Sequence, residues 1–182
     1  GAEKVYDPFC GSGTVLQEAW LMGKKAEGSD ISETAVDASG RNLQWLKDEL
    51  DFKNIAHDGE IPTVGLMDAT KLNKDAFGKG TAIVSETFLG PVRGEIKKIQ
   101  PEIENLYERY FSNLQKVAPK GTIMVFTAPY HKIKNQRFFL PNLEKILNKY
   151  TQIIPLSNHE RASLFYERTD QFVCREIWKI RV

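Results

Sequence analysis

Cysteine is nearly absent from this chain, with only Cys10 and Cys174 among 182 residues. Neither a disulfide framework nor a thiolate metal site is expected. Histidine is as scarce: His57, His131 and His159 lie far apart with no ligand spacing, so no metal is expected. No apolar run approaches the ~20 residues of a membrane span, and no signal peptide precedes the first predicted strand. The sequence therefore reads as cytoplasmic, with no membrane partner. Charge of one sign is lacking too. Lys and Arg number 25 against 24 Asp and Glu, and the formal net charge of +1 is a weak footprint for a nucleic-acid binder. Repeats and low-complexity segments are missing. The 41% hydrophobic and 27% charged residues are ordinary for a globular protein, and the length suits about one domain with a sizeable core.

What is present begins with Asp7-Pro8-Phe9-Cys10-Gly11-Ser12-Gly13-Thr14. This glycine loop follows a short strand ending Val5-Tyr6 and precedes a helix from Val15 to Met22 that stops at Gly23. Gly11 and Gly13 have no Cβ, so the backbone can turn sharply and a ligand can approach closely. Free N–H groups at the helix start suit a carboxylate or phosphate. Asp30 ends a second strand about 20 residues on, where an acidic side chain commonly accepts from ribose hydroxyls. Asp68 ends a third, in Val64-Gly65-Leu66-Met67-Asp68-Ala69-Thr70. Three strand ends thus carry polar groups to one sheet edge, where open α/β sheets bind ligands, and a nucleoside-containing ligand is predicted. NAD is the weaker choice, because Leu16 stands where its fingerprint needs glycine or alanine.

Ser32 is a good N-cap for a long amphipathic helix through Val36, Leu43, Trp45, Leu46 and Leu50, whose apolar side should pack on the sheet. A polar linker, Asn54 to Glu60, leads to the third strand at Thr63 to Met67, and a fourth follows at Thr81 to Ser85. The stretch Gly90 to Gln100 reads as a flap with Gly90 and Gly94 as hinges. Pro101 opens a helix carrying Ile103, Leu106, Tyr107, Tyr110, Phe111 and Leu114, an aromatic stripe of the kind that packs in cores. A fifth strand spans Thr122 to Thr127, a helix Leu140 to Lys149 and a sixth strand Thr151 to Ile154. The seventh, Phe172 to Ile180, has apolar residues on both faces, Phe172, Cys174, Trp178 and Ile180 opposite Val173 and Ile177. Basic clusters follow the fourth strand (Arg93, Lys97, Lys98) and the fifth (His131, Lys132, Lys134, Arg137). They are either phosphate contacts on the ligand edge or solvated loop charges.

The eight residues from Asp7 to Thr14 match throughout the first motif, D-P-F-C-G-S-G-T, of the amino-methylating S-adenosylmethionine (SAM)-dependent methyltransferases, which this chain resembles. The resemblance implies an α/β, Rossmann-like, seven-stranded methyltransferase sheet, mostly parallel with an antiparallel last strand and helices on both faces. It implies SAM as cofactor. Asp7 and the Gly11 to Gly13 backbone would face its methionine part, Asp30 would hold the ribose, and Asp68 with the Ala69 backbone would read the adenine. Phe9, Ser12, Thr14 and Ile31 complete the implied cofactor set. The ending Leu164 to Ile177 is similar to the close of the THUMP-containing tRNA guanosine methyltransferases, which points to RNA, and to tRNA in particular. The helix such domains place before their first strand is missing. Residues 1–182 therefore read as a catalytic domain cut from a longer protein, Gly1 as a remnant of the cut, and an RNA-binding THUMP module as the part that would precede it.

After the fourth strand, amino-methylating enzymes carry D/N-P-P-Y/F/W; this chain has Ser85-Glu86-Thr87-Phe88-Leu89-Gly90-Pro91. An exocyclic base amine is a poor nucleophile because its lone pair is delocalised into the ring. Acceptors on its two N–H groups draw the nitrogen toward tetrahedral geometry and stabilise the charge that develops as the methyl arrives. Glu86 is the candidate carboxylate, the carbonyl of Thr87 or Ser85 the second acceptor, and Phe88 the face on which a flipped base stacks. Thr87 lacks the fixed φ of proline, and glutamate is one methylene longer than aspartate. The expected activity is SAM-dependent methylation of an exocyclic amine, of guanosine in tRNA foremost. The alternatives are a non-catalytic cofactor- or RNA-binding module and a DNA amino-methyltransferase, the latter disfavoured because the chain leaves no room for a DNA-recognition domain after its seventh strand.

Overall fold

The computed structural model describes residues 1–57, 60–78, 80–91, 96–134, 136–158, 161–169 and 171–182. They form two compact units, Gly1–Ser85 and Glu86–Val182. In the first, four parallel strands lie in the order β3-β2-β1-β4: β1 Lys4–Asp7, β2 Lys25–Asp30, β3 Thr63–Leu66 and β4 Thr81–Glu86, whose last residue opens the second unit. Helix α1 (Thr14–Leu21) joins β1 to β2, and α2 (Glu33–Phe52) joins β2 to β3. Two single 3-10 turns, Ala69–Lys71 and Lys74–Ala76, lead from β3 to β4. Val5, Cys10, Leu16, Ala19, Ala26 and Leu43 form the core, flanked by Val15, Ile61, Val64 and Val84.

Leu16 is fully buried, in spite of being large where helix meets strand. Room for it comes from β2, because a Cβ on Gly28 would stand 2.9 Å from Leu16 Cδ1 and 2.9 Å from Cys10 Cβ. Ser32 caps α2 as expected, its Oγ accepting from Ala35 N at 3.3 Å. Leu43, Leu46 and Leu50 turn inward, but Trp45 is 59% exposed. At 100° per residue it lies about 200° round from Leu43, outside the packed stripe.

The second unit holds α3 (Ile96–Val117), β5 (Ile123–Ile133), β6 (Gln136–Phe138), α4 (Leu143–Tyr150), β7 (Gln152–Ile153), β8 (Leu164–Tyr166) and β9 (Val173–Arg181). Strands β5 and β9 pair antiparallel from Ile123↔Arg181 to His131↔Val173, β7 and β8 also pair with β9, and β6 pairs with β5. The antiparallel last strand is as the resemblance implied. The described residues thus hold nine strands, not seven: β6 and β8, three exposed residues each, are too short to show alternation. Beyond Thr127, β5 continues through Pro129, a residue that signals a strand end because it cannot donate to a ladder. Pro101 lies inside α3, which starts at Ile96, so it does not open the helix. Burial of Ile99 one turn ahead of Ile103 favours that earlier start. The stripe Tyr107, Tyr110, Phe111 and Leu114 is core, with Phe111 packed 5.4 Å from the Phe126 ring.

Candidate functional site

The carboxylates at the ends of β1 and β2 build the glycine loop. Asp7 is 1% exposed, and its Oδ1 accepts from Phe9 N at 3.0 Å and from Ser85 Oγ at 2.7 Å. Asp30 takes Gly11 N at 2.9 Å on Oδ2 and Ser32 N at 3.0 Å on Oδ1. Asn42 Nδ2 donates to Ser12 O at 2.9 Å, and Cys10 N to Ser29 O at 3.0 Å. Gly11 and Gly13 adopt φ of 52° and 86°, and Gly13 begins α1 with no side-chain cap. Beyond its own chain neighbours, no described heavy atom lies within 4 Å of where a Cβ on Gly11 would stand, so the loop is open above that residue. Ser12 and Thr14 are exposed and Phe9 half-buried. Burial, then the charges of Asp7 and Asp30, push the Cys10 thiol up to about 12, so it stays protonated and inert.

Met67 N donates to Asp30 O at 2.9 Å, which draws the end of β3 beside the end of β2. Asp68 follows directly. Burial opposes its ionisation, but bonds from Thr70 N at 2.9 Å and Thr70 Oγ1 at 2.8 Å, with Lys71 at 3.6 Å, hold its carboxyl below the ordinary range. Ala69 is buried, whereas Ile31 and Leu66 are 70% and 54% exposed. The structure therefore gathers Asp7, Phe9, Gly11, Ser12, Gly13, Thr14, Asp30, Ile31, Asp68 and Ala69 along three adjacent strand ends of the first unit.

The acceptor loop belongs to the second unit and differs from a free loop at two points. Glu86 is gripped by Arg175 of β9, whose Nε and Nη2 donate to its two oxygens at 2.7 and 3.0 Å. Thr87 is 2% exposed. Its hydroxyl donates to Thr127 O at 2.6 Å and accepts from Tyr107 OH at 2.5 Å, so side-chain bonds fix the residue that proline would have fixed. Phe88 is 52% exposed, which leaves its ring open. Gly90 has φ 80°, and a Cβ there would press on Ile99 and Ile103 at 3.0 Å.

Other expectations fare differently. Arg93 and Gly94 of the flap lie outside the described residues, as do His159 and the side chain of Lys97. Residues 96–100 are helical, with Ile99 buried and Gln100 Nε2 donating to Phe139 O at 2.8 Å, so the flap does not extend to Gln100. The cluster after the fifth strand is not a loop. His131 is buried against Phe172, while Lys132 and Arg137 pair with Glu167 at 2.9 and 3.3 Å. Together with Tyr130 these bonds pull the Glu167 carboxyl down to about 2. The sequence reading missed Gly28, Arg175 and a buried pair: Glu176, fully buried, accepts from Arg161 Nε at 2.5 Å and Ser163 Oγ at 2.6 Å. The period of Cys174, Trp178 and Ile180 was the available signal, since it puts Glu176 on their apolar face.

Residues 1–146 match the family model described as UPF0020, RMKL-like, methyltransferase domain. A tRNA (guanine(10)-N2)-dimethyltransferase of Methanothermobacter thermautotrophicus is 29% identical over 129 residues, 71% of this chain and 34% of that protein. One of Pyrococcus abyssi is 30% identical over 131 residues, 70% of this chain and 34% of its own. The chain thus spans about a third of the length of these curated relatives. In fold it is similar to magnesium protoporphyrin IX methyltransferase from Synechocystis PCC 6803 with bound SAM. That similarity has a TM-score of 0.61 at 17% identity and covers 100% of this chain and 70% of that one. With 146 of its residues inside one family model, the chain belongs to the UPF0020 family of RMKL-like methyltransferase domains.

Proposed function

We propose that residues 1–182 act as one catalytic domain that methylates the exocyclic amine of guanosine in tRNA, with SAM as donor. The observation that carries this reading is the open, uncapped glycine loop of the first unit. Gly13 leaves the first N–H groups of α1 without a side-chain partner, and these suit the carboxylate of a methionine moiety. Each oxygen of Asp30 accepts one bond from the described residues and keeps lone pairs for ribose hydroxyls. Exposed Ile31 and Leu66 offer an apolar slot for adenine, with Asp68 and the Ala69 backbone at its polar edge. Phe9, Ser12 and Thr14 complete the rim, and Asp7 sets the loop's shape from beneath.

When bound, SAM supplies a methyl carbon made electrophilic by its sulfonium. Glu86 accepts from one N–H of the target amine, and the Thr87 carbonyl from the other, so that the nitrogen lone pair is freed for attack; as the N–C bond forms the methyl–sulfur bond breaks to leave a neutral thioether, and the surplus N–H proton passes to Glu86. Phe88 stacks on the flipped base and fixes its plane. Arg175 holds Glu86 by both oxygens, which limits the wander that an extra methylene would allow. The printed names of both curated relatives, tRNA (guanine(10)-N2)-dimethyltransferases, support tRNA and a guanine amine as the substrate. A cytoplasmic location follows from that substrate.

Methyl-labelled SAM and tRNA should yield labelled N2-methylguanosine with the intact protein. No incorporation, in protein that binds SAM by calorimetry, would refute the reading. The substitution Glu86→Gln should depress turnover and leave SAM affinity unchanged, whereas a non-catalytic module would be indifferent to it. Competition by duplex DNA at equal affinity would favour the DNA alternative.

A further inference from the structure

The second unit carries a line of side chains that starts at Arg175, the partner of Glu86, and runs on through two residues that the transfer step does not use. We propose that Tyr166, Arg168 and Arg175 form a strip that holds the nucleotide flanking the target base, with Tyr166 stacking on that base and the two guanidiniums meeting its phosphates. This rests on the RNA reading given above. Arg175 spends two of its five N–H groups on Glu86 and keeps three. Across the antiparallel β8/β9 ladder it pairs with Tyr166, and residues directly opposite share a face. Tyr166 is 43% exposed. Arg168 stands at its far end, Nε donating to Tyr166 OH at 3.0 Å and the guanidinium carbon 5.8 Å from the ring centroid. Among the described residues Arg168 makes no ion pair, so its charge is unbalanced there.

Read outward from Glu86, the strip is carboxylate, guanidinium, aromatic ring, guanidinium. An exposed ring between two cations matches a base between two phosphates, since every base has a face to stack and the backbone supplies the negative charge. An apolar protein surface would leave Arg168 and the three remaining N–H groups of Arg175 unsatisfied, and an acidic peptide would leave the ring unused. The strip starts on the residue that grips the candidate acceptor carboxylate, which places its occupant next to the target base.

The test is tRNA binding by fluorescence anisotropy over a salt series, with methylation kinetics, for the intact protein and for Tyr166→Ala, Tyr166→Phe and Arg168→Ala. Tyr166→Ala should raise the tRNA Kd and KM about tenfold. Tyr166→Phe, which keeps the ring, should stay within about twofold. Arg168→Ala should lower the salt slope by about one. For all three, kcat at saturating tRNA and the SAM Kd should not move. If the unsubstituted protein binds tRNA and Tyr166→Ala and Arg168→Ala bind it equally well, the strip is overturned and the methyltransferase reading stands. If the unsubstituted protein binds SAM but not tRNA, both fall. Unchanged tRNA affinity with lost binding of poly-L-glutamate would overturn the strip in favour of an acidic protein partner.

Discussion

Replacing Thr87 by valine keeps the shape of the side chain and removes its hydroxyl. Two bonds disappear, the donation to Thr127 O at 2.6 Å and the acceptance from Tyr107 OH at 2.5 Å. Both hydroxyls are buried, Thr87 at 2% exposure and Tyr107 at 0%. Water therefore cannot take their place, and the Tyr107 phenol is left unsatisfied. A typical buried hydrogen bond contributes about 1 kcal/mol and an orphaned buried polar group costs about 1–3 kcal/mol, so Thr87→Val should lose about 3 kcal/mol. For a chain of this length that is roughly 6–12 °C in Tm. Tyr107→Phe should cost only about 1 kcal/mol, because Thr87 keeps its bond to Thr127. The double variant should cost less than the two singles summed, since the phenylalanine removes the orphan that valine created. Urea denaturation of the four proteins measures all of this. Turnover adds a second reading, because a loop displaced by ~1 Å can cost about a hundredfold in rate while SAM affinity holds. A Thr87→Val protein within about 0.5 kcal/mol of the parent, or strict additivity in the double variant, would refute the claim that these bonds stand in for proline.

Gly28→Ala should destabilise by about 1–3 kcal/mol and weaken SAM binding, because its Cβ would meet Cys10 Cβ and Leu16 Cδ1 at 2.9 Å and Asp7 O at 3.1 Å; thermal shift with and without SAM checks both. Arg161→Ala should cost about 3–5 kcal/mol by leaving the buried Glu176 carboxylate with Ser163 Oγ as its main donor, and chemical denaturation measures it. Burial lowers the pKa of His131 below its ordinary 6.5. The unfolded chain then binds more protons than the folded one just below pH 6.5, so this group's contribution is full above that pH and is lost as pH falls toward the folded value. His131→Leu should flatten stability against pH just below 6.5, and an unchanged slope in urea midpoints would sink the assignment.

The glycine-loop side of the first unit was legible because its signals are local. Asp7 to Thr14 is one contiguous run, Ser32 caps the helix it precedes, and Asp30 and Asp68 follow strands short enough to read by eye. The second unit was harder for the opposite reason. The expected end of the fifth strand, Thr127, falls short of the Ile133 that β5 reaches, and in the sequence the cluster from His131 to Arg137 stays open between phosphate contacts and solvated loop charges. In the fold that segment buries its histidine and commits Lys132 and Arg137 to Glu167, a residue 30 or more positions away. The pleat of β9 places Glu176 on the buried face of Cys174 and Trp178, where Arg161 donates to it.

The same contrast bears on the acceptor loop, where the sequence shows two losses and no compensation. Proline is replaced by Thr87, and aspartate or asparagine by the longer Glu86. Each change enlarges the set of positions the loop or its carboxylate can take, which alone would argue against efficient transfer. Both are met by partners distant in the chain. Thr87 is held by Tyr107, 20 residues on, and by Thr127, 40 residues on, while Glu86 is held by Arg175, 89 residues on. A threonine can recruit such partners only because it has a hydroxyl, and a glutamate reaches β9 because of its extra methylene. The departures from the family pattern are therefore the groups through which the rest of the second unit restrains the loop. It follows that restoring the pattern piecemeal should harm this protein: Glu86→Asp, shortened away from Arg175, should fall in kcat toward the level of Glu86→Gln at unchanged SAM affinity. An active Glu86→Asp protein would mean that Arg175 is incidental to the site.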